Sequence, residues 1–436
     1  MKRESLAERS LKAVWHPCTQ MKQHERWPLV PISRAEGVWL YDHNGNRYLD
    51  AIGSWWVNLF GHSNSRINAA IGAQLEKMEH VMLAGFTHEP VVELSERLSR
   101  LTPPGLGHCF YASDGASATE IALKMSFHYW QNIGRLGKSD FVSLRNGYHG
   151  ETLGALSVTG VGLFRDAYAP LLRFSAQVTT PDWRLAGAGE SPEEYALRAA
   201  EALEAYLAEN HAHSAAFIIE PLVQGATGMG MYHPVYLKRA REICDQYEVH
   251  LMADEIAVGF GRTGTLFACE QAGITPDILC LGKGLSGGYL PLSTVMTTDE
   301  IYRAFYDDDV ARGFLHSHTH SGNALACAAA LATLDIFEQD GIIHANRRKA
   351  GYLSELLLPL AAHPRVRNFR HCGMIWAFDV QTEDPNFSLN FFQAGLRESL
   401  SLRPLGNTVY FMPPYTIDES EMNHLAGAVL RTLEAC

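Results

Sequence analysis

The sequence predicts an α/β fold with two parts: a mainly parallel sheet in a large domain, and a smaller α+β domain formed by both chain ends. Three observations lead to this prediction. Short apolar segments alternate with amphipathic segments between residues 105 and 300, a hairpin pattern lies near the N-terminus, and a second strand-rich stretch lies near the C-terminus. Strands that alternate with helices favour a parallel sheet covered by helices on both faces.

Six short apolar segments are predicted as buried strands of the large domain. They are His108–Ser113, Phe141–Leu144, Ala215–Ile219, His250–Ala253, Ile278–Leu281 and Leu292–Met296. The segment between the first two strands predicts a helix over residues 118–131, because its apolar residues recur every three or four positions. These residues are Ala118, Ile121, Ala122, Met125 and Tyr129.

The two ends of the chain predict a different structure. Val38–Asp42 and Arg47–Asp50 flank Asn44-Gly45, a dipeptide typical of a type I′ hairpin turn. Met374–Val380 and Val409–Met412 predict further strands near the C-terminus. The predicted division is residues 1–60 and 336–436 for the small domain and residues 61–335 for the large one.

Composition excludes several functions. The 436 residues carry 36 Lys and Arg against 48 Asp and Glu, a net charge of −12, which argues against a nucleic-acid-binding face. No apolar stretch has the length of a membrane span, so no membrane partner is expected. The first fifteen residues alternate charged and apolar positions, which predicts a surface helix of a cytoplasmic protein.

Three short motifs suggest other chemistries without the context that each chemistry needs. Gly259–Gly264 fits G-x-G-x-x-G but does not follow directly from a predicted strand. Asn132–Ser139 differs from a phosphate-binding P-loop at one position, where Asn132 replaces the first Gly, and it joins a helix to a strand. Nucleotide hydrolysis through Lys138 is kept as a distant alternative. His316, His318 and His320 alternate, but no other ligand stands at an obvious spacing, so no metal site is predicted.

The most informative residues follow the ends of predicted strands. Asp254 and Lys283 each follow a buried strand, and Lys283 has glycine on both sides. An amine and a carboxylate at this edge suit pyridoxal phosphate, which needs a lysine for a Schiff base and an acid beside its ring nitrogen. Gly115 and Ala116 lie just before the predicted helix and can offer amides to a phosphate, and Tyr148 can stack on the ring.

Four longer motifs resemble those of the class III, fold type I aminotransferases. They are IIEP (218–221), ADEIAVGFGRTG (253–264), PDILCLGKGLSGG (276–288) and HTHSGNALACAAA (318–330). The resemblance covers nearly the whole chain and implies a pyridoxal phosphate enzyme. In the family pattern Lys283 is the Schiff-base lysine, Asp254 the partner of the ring nitrogen, Tyr148 the stacking residue and Gly115-Ala116 the phosphate turn.

Further motifs resemble the members of this family that transfer the amino group of S-adenosylmethionine to 8-amino-7-oxononanoate in biotin biosynthesis. They are WHPCTQM (15–21), SWW (54–56), HVMLAGFTHEP (80–90), MYHPVYLKR (231–239) and RPLGNTVYFMPPY (403–415). The resemblance implies a substrate wall, an arginine for the oxononanoate carboxylate, a substrate contact, and a loop that reaches the phosphate of the second subunit in a homodimer. The wall residues are Trp55, Trp56 and Tyr410, and the carboxylate-binding arginine is Arg403. Ser317 is the substrate contact, and His318 and Thr319 belong to the loop that reaches the second subunit.

Two positions bear on the substrates. The family commonly has Tyr where Cys18 stands, and Cys18 lacks the phenol that takes part in substrate recognition. In the family members that act on ω-amino acids, a Glu follows a Gln-Gly pair. Here Ala226 follows that pair, Gln224-Gly225, which weakens the interpretation of the chain as an ω-amino-acid enzyme. The hypothesis is a ping-pong transamination from S-adenosylmethionine to 8-amino-7-oxononanoate. The alternatives are another class III aminotransferase, acting on an ω-amino acid or a diamine, and the same reaction with a different amino donor.

Overall fold

The computed structural model describes residues 4–436. Its strands, labelled β1 to β16 in chain order, are Ile32–Glu36, Trp39–Asp42, Arg47–Asp50, Leu106–Ala112, Asp140–Leu144, Ala176–Val178, Ser214–Ile219, Val223–Gln224, Gly230–Met231, His250–Asp254, Ile278–Leu281, Ser293–Thr298, Val366–Cys372, Ile375–Val380, Leu400–Ser401 and Thr408–Phe411. The right-handed α-helices are Leu6–Ala13, Ser65–Leu75, Glu89–Leu101, Gly115–Asn132, Leu153–Val158, Gly162–Arg165, Pro192–Asn210, Val235–Gln246, Asp299–Phe305, Ala324–Gln339, Ile342–Leu356, Leu358–Ala361, Phe387–Arg397 and Glu419–Ala435.

A seven-stranded sheet forms the centre of the molecule, in the order β4-β12-β11-β10-β7-β5-β6. The pairs from β11 to β6 are parallel, whereas β12 runs antiparallel to both β11 and β4. The mainly parallel α/β sheet is therefore confirmed, with β12 as the exception. Strands β7, β10 and β11 are buried at every residue, because helices cover both faces, and this explains their continuous apolar sequences.

All six predicted strands of the large sheet are present, with ends that differ by at most two residues. The predicted helix begins at Gly115 rather than residue 118, because Asp114 caps it: the Asp114 carboxylate accepts the Ser117 amide at 2.9 Å. β6 was not predicted. Only three residues long, it carries too little pattern for sequence reasoning to find.

Two smaller sheets contain the strands of the chain ends. In the first, β15 from the C-terminal region pairs in parallel with β3 from the N-terminal region, so both ends contribute to one sheet of order β1-β2-β3-β15. The second, of order β13-β14-β16, is antiparallel and lies wholly within the C-terminal region. The domain boundaries after residues 60 and 335 stay a prediction.

The β2–β3 hairpin is present, but the predicted type I′ turn is wrong. The Gly45 amide bonds the Asp42 carbonyl at 3.2 Å, and of the central dipeptide Gly45 alone has positive φ, at +85°. The Asp42 carboxylate also accepts the amides of Asn44 and Asn46 at 2.8 and 2.9 Å. These bonds hold Asn44 out of the left-handed region that a type I′ turn requires.

The N-terminal segment forms the helix Leu6–Ala13, none of whose residues is buried, as predicted; residues 1–3 of the predicted helix lie outside the described part. Ser5 and Glu8 cap its start reciprocally. Across residues 4–436, no helix combines the length and apolar character needed to cross a bilayer.

Candidate active site

Four loops meet at the carboxyl edge of the large sheet, where parallel sheets bind their ligands. Asp254 ends β10, and Lys283 follows the neighbouring β11. Glu220 follows β7 on the other side of β10, and the loop with Tyr148 follows β5. The order of the strands thus brings together residues that are far apart in the sequence.

The buried Asp254 carboxylate is held from two sides. Its Oδ2 lies 2.8 Å from Nδ1 of His149, and its Oδ1 accepts the Ile256 amide at 3.1 Å. The His149 side chain is fully buried, and its Nε2 has no hydrogen-bond partner among residues 4–436. Sequence reasoning missed His149, although it stands beside Tyr148 in the same loop. The pair fixes a carboxylate at the sheet edge, as a partner for a protonated ring nitrogen requires.

Glu220 is a second residue that sequence reasoning missed. Its carboxylate accepts the amides of Tyr148 at 2.9 Å and Gly225 at 3.0 Å, so it joins two loops of the site. Burial raises the pKa of Glu220 to about 7, the negative charge of Asp254 adds to this rise, and His149 and the two amides oppose it. The signal was available: IIEP places a glutamate directly after a buried strand, next to the strand that ends in Asp254.

Lys283 begins a short 3₁₀ turn and has a positive φ of +39°, a conformation that costs free energy for a residue other than glycine. Its Nζ lies 5.1 Å from the centre of the Trp56 ring, and no carboxylate forms an ion pair with it within the described range. Burial lowers the pKa of Lys283, and the charges of Asp254 and Glu220 oppose that shift. Burial thus favours the neutral amine, the form that acts as nucleophile and base.

The start of the helix Gly115–Asn132 faces the same edge. Helical geometry leaves the amides of Gly115 and Ala116 without an intrahelical acceptor, so they are available to a phosphate. A side chain at position 115 would collide with Ile256, whose Cγ2 lies 2.9 Å from the position of such a Cβ. A side chain at Gly282 would also contact Ile256, at 3.3 Å. The phosphate turn and the Lys283 segment therefore meet around one side chain.

The predicted substrate wall stands on an unusual backbone. Residues Gly53–Trp56 form a left-handed turn with φ values of +55°, +46°, +71° and +76°. The left-handed conformation costs about 1–2 kcal/mol for each residue other than glycine. Arg262, fully buried, holds the end of the turn by donating to the carbonyls of Trp56 and Asn58. Sequence reasoning predicted the tryptophans but not the turn.

The turn points its two tryptophans in different directions. Trp56 is buried and donates from Nε1 to the Tyr410 hydroxyl at 3.1 Å. Trp55 is 41% exposed, and the Arg403 guanidinium lies 4.3 Å from the centre of its ring. Arg403 also donates to the carbonyl of the exposed Cys18 at 3.0 Å. The structure thus brings together the predicted wall residues, the predicted carboxylate-binding arginine and Cys18.

Three predicted residues lie on a separate loop, before the helix Ala324–Gln339. Ser317, His318 and Thr319 belong to a loop in which His318 contacts His316 at 3.0 Å between their Nε2 atoms and donates its amide to Ser321 at 3.3 Å. This loop is not joined by a hydrogen bond to Asp254 or Lys283 within the described chain. The role of these residues in the site stays a prediction.

The competing motifs have structural roles. Lys138 is buried, and its Nζ donates to the carbonyls of His211, Ser214 and Glu248, so it does not face a phosphate site. Gly259–Gly264 lies in the loop that carries Arg262 and does not open an α-helix. Neither segment has the strand-to-helix context of a nucleotide site.

Comparison with known proteins agrees with this geometry. The family model described as aminotransferase class-III matches residues 20–433. The chain belongs to this family. It is therefore an aminotransferase, with the α/β fold of the family.

Two relatives carry the same name. A protein of Helicobacter pylori named adenosylmethionine-8-amino-7-oxononanoate aminotransferase is 47% identical, over 99% of this chain and 98% of its own. A crystal structure of the enzyme with that name from Methanocaldococcus jannaschii has a TM-score of 0.93 at 34% identity, over 99% of both chains. An omega transaminase of Pseudomonas jessenii in complex with PMP has a TM-score of 0.94 at 30% identity, over 99% of this chain and 98% of that one. The overall fold is thus common to enzymes of different names, and the substrates must be argued from particular residues.

Proposed function

We propose that the protein uses pyridoxal phosphate to transfer the amino group of S-adenosylmethionine to 8-amino-7-oxononanoate, which gives 7,8-diaminononanoate for biotin biosynthesis. The observation that carries this proposal is the joint position of Lys283 and Asp254 at the sheet edge, beside a wall that ends in Arg403. The relatives named for this reaction, the first at 47% identity, support the choice of substrates.

The residues at the sheet edge fit the cofactor. Pyridoxal phosphate needs an amine, an acid for its ring nitrogen and donors for its phosphate. Lys283 offers an amine without an ion-pair partner in the described chain, Asp254 offers a carboxylate oriented by His149, and the helix start at Gly115 and Ala116 offers amides. The PMP in the omega transaminase structure supports the same cofactor class.

When bound, the cofactor ring delocalises the electron pair that remains when a proton leaves the donor Cα. Lys283 Nζ takes that proton as general base and later returns it as general acid, for which its lowered pKa is suited. Asp254 keeps the ring nitrogen protonated, with its own orientation set by His149. Tyr148, held through its amide by Glu220, would cover one face of the bound cofactor ring and exclude water there.

The wall supports an acceptor with an apolar chain and a terminal carboxylate. Trp56 and Tyr410 supply a buried aromatic surface next to Lys283, and Arg403 lies at the far side of Trp55. A guanidinium binds a carboxylate through two hydrogen bonds. Ala226 disfavours ω-amino acids as substrates, since it cannot pair with an arginine as the Glu of the family's ω-amino-acid members does.

We include in the proposal a cytoplasmic homodimer with shared sites. In the family pattern, His318 and Thr319 reach the phosphate of the second subunit, and these residues are not joined by hydrogen bonds to Lys283 or Asp254 within the described chain. Leu315 on the same loop is 77% exposed, as is expected of a side chain that a partner covers.

Arg403→Ala tests the acceptor assignment. Because a hydrogen-bonded charge contributes about 1.5–3 kcal/mol, we expect the KM for oxononanoate to rise about 10- to 100-fold. The KM for S-adenosylmethionine should change by less than about 3-fold, because the carboxylate role concerns the acceptor. Steady-state kinetics with each substrate varied in turn measures both.

Arg47→Ala is the matched control, because Arg47 also stacks at 4.3 Å on a tryptophan, Trp39, but in the β2–β3 hairpin. It should leave both KM values unchanged. Equal effects of Arg403→Ala on the two substrates would reject the carboxylate role.

A further inference from the structure

The left-handed turn Gly53–Trp56 begins beside a buried carboxylate. Asp50, at the end of β3, is 1% exposed, and both of its oxygens bond Ser54. Oδ1 accepts the Ser54 amide at 2.9 Å, and Oδ2 accepts the Ser54 hydroxyl at 2.7 Å. The same Oδ2 lies 3.0 Å from Nε2 of His62. One residue of the turn thus donates two hydrogen bonds to a single carboxylate that His62 fixes in place.

These bonds hold a backbone that the residues of the turn do not favour. Ser54, Trp55 and Trp56 are all left-handed, and neither serine nor tryptophan prefers that region. Gly53 permits a close approach, since a Cβ there would lie 3.0 Å from both an Arg262 nitrogen and the Met412 carbonyl oxygen. The turn is therefore fixed by its surroundings, with Asp50 at its start and Arg262 at its end.

The carboxylate and the guanidinium also interact electrostatically. Burial lowers the pKa of Arg262, and the negative charge of Asp50 opposes that shift. Arg262 donates to carbonyl oxygens of Asn58 at 2.8 Å and of Pro413 at 2.8 Å, which joins the turn to the segment after β16. Loss of the Asp50 charge would therefore act on both ends of the turn.

The turn sets the positions of two side chains that face the substrates. Trp56 lies 5.1 Å from Lys283 Nζ and bonds Tyr410, whereas Trp55 supports Arg403 at 4.3 Å. If the turn relaxed to right-handed geometry, the side chains of Trp55 and Trp56 would leave their present directions. Arg403 would then keep only its bond to the Cys18 carbonyl.

We propose that Asp50 is a positioning residue for acceptor recognition, which acts through the left-handed turn and Trp55 on Arg403. The proposal rests on the proposed function, because it concerns the carboxylate of the oxononanoate acceptor. Asp50 touches neither Lys283 nor Arg403 and takes no part in proton transfer.

Asp50→Asn tests the proposal in the cofactor-loaded enzyme. Asparagine leaves an acceptor for the Ser54 amide, but it removes the negative charge and places an N–H donor at the position of Oδ2. The Ser54 hydroxyl thus loses its charged acceptor there and can only accept a weaker, uncharged hydrogen bond, which loosens the start of the turn. We expect the KM for oxononanoate to rise about 10-fold, and we expect this effect to shrink to less than about 2-fold in an Arg403→Ala background, because coupled residues are not additive. A crystal structure of the variant should show Trp55 outside the left-handed region.

Asp42→Asn is the matched control. Asp42 is a buried carboxylate of the same sheet that accepts four hydrogen bonds in the β2–β3 turn, but it does not contact the tryptophan turn. It should lower the stability of the protein and leave the KM for oxononanoate unchanged. Ser54→Ala, which removes only the hydroxyl bond, replaces Asp50→Asn if that variant does not fold, and should raise the same KM about 3-fold.

Additive effects of Asp50→Asn and Arg403→Ala on the oxononanoate KM would overturn the proposal, as would an unchanged left-handed turn with an unchanged KM. Absence of amino transfer to oxononanoate by the wild-type enzyme would instead reject the proposed function. The two failures are therefore distinguishable.

Discussion

Two lysines beside the large sheet have pKa values lowered by burial and differ in their hydrogen bonds. Lys138, before β5, is buried, and burial lowers its pKa to about 8. Its Nζ donates to three backbone carbonyls, two of them at 3.0 and 3.2 Å, and lies 4.5 Å from the centre of the Trp130 ring. Every hydrogen of this ammonium therefore has an acceptor.

Lys283, at the opposite edge of the sheet, has no such acceptors within residues 4–436. Burial lowers its pKa as well, but its environment consists of the Trp56 ring, the negative charges of Asp254 and Glu220, and a strained backbone at +39°. Buried polar groups with filled hydrogen bonds stabilise a fold, whereas incompletely paired ones with shifted pKa values mark functional sites. Burial of a lysine alone thus does not indicate function; the state of its hydrogen bonds does.

Substitution of each lysine tests this difference, and the largest effect is expected on turnover. Lys283→Ala should lower turnover by at least about 10³-fold, because it removes the group that moves the Cα proton. The purified variant should also lose the visible absorbance of the bound cofactor. Turnover assays and absorption spectra of the variant measure these effects.

Lys138→Met is the matched control. It should cost about 3 kcal/mol of stability, measured by urea denaturation, because three carbonyls lose a charged donor, and it should keep wild-type turnover. If Lys138→Met lost turnover as fully as Lys283→Ala, the distinction between the two sites would be wrong. Nucleotide hydrolysis that depends on Lys138 would contradict it as well.

A smaller effect is expected on the pH dependence of the free energy of unfolding, through Glu220, one of the acids beside Lys283. Burial raises the pKa of Glu220 to about 7 from an ordinary value of 4.5, so the folded protein keeps a proton that the unfolded chain releases. The contribution of Glu220 to the free energy of unfolding is therefore fully present below pH 4.5 and is lost as the pH rises through about 7. The loss is about 3 kcal/mol, since each pKa unit corresponds to about 1.4 kcal/mol.

Glu220→Gln should remove this loss, which urea denaturation of cofactor-free protein at about pH 5 and about pH 8 would measure. Lys138→Met serves again as control. Lys138 has a pKa of about 8 in the folded protein and an ordinary value of 10.5, so its contribution to stability changes mainly above pH 8. The Lys138→Met variant should therefore keep the wild-type change in the free energy of unfolding between the two pH values. An equal change in the wild type and Glu220→Gln would show that Glu220 does not titrate in this range.

Sequence patterns predicted which residues follow the strands at the sheet edge better than they predicted the contacts among those residues. Asp254 and Lys283 could be found because each follows a buried apolar strand, and strands of a parallel sheet end at one edge. His149 was missed because its role depends on a contact with Asp254, 105 residues away. Glu220 follows a buried strand and could have been found by the same rule, but its contact with the Tyr148 amide, over 72 residues, could not. Spacing along the chain does not contain such contacts.

The wall shows the same limit for the backbone. The tryptophans could be predicted from SWW, but the left-handed turn depends on Arg262, more than 200 residues away, and on the Asp50 carboxylate. The hairpin turn failed for a related reason, since a local carboxylate, Asp42, overrides the preference of its central dipeptide. Side-chain bonds to the backbone decide turn geometry more strongly than the residue types in the turn do.

The most direct test of the proposed reaction separates its two halves. Cofactor-loaded protein is incubated with S-adenosylmethionine, freed of excess donor and then given 8-amino-7-oxononanoate. We predict about one equivalent of 7,8-diaminononanoate per site, and much less when lysine, ornithine or glutamate replaces S-adenosylmethionine as donor. Product formation after incubation with one of those amino acids, and none after S-adenosylmethionine, would contradict the proposed donor and with it the central claim.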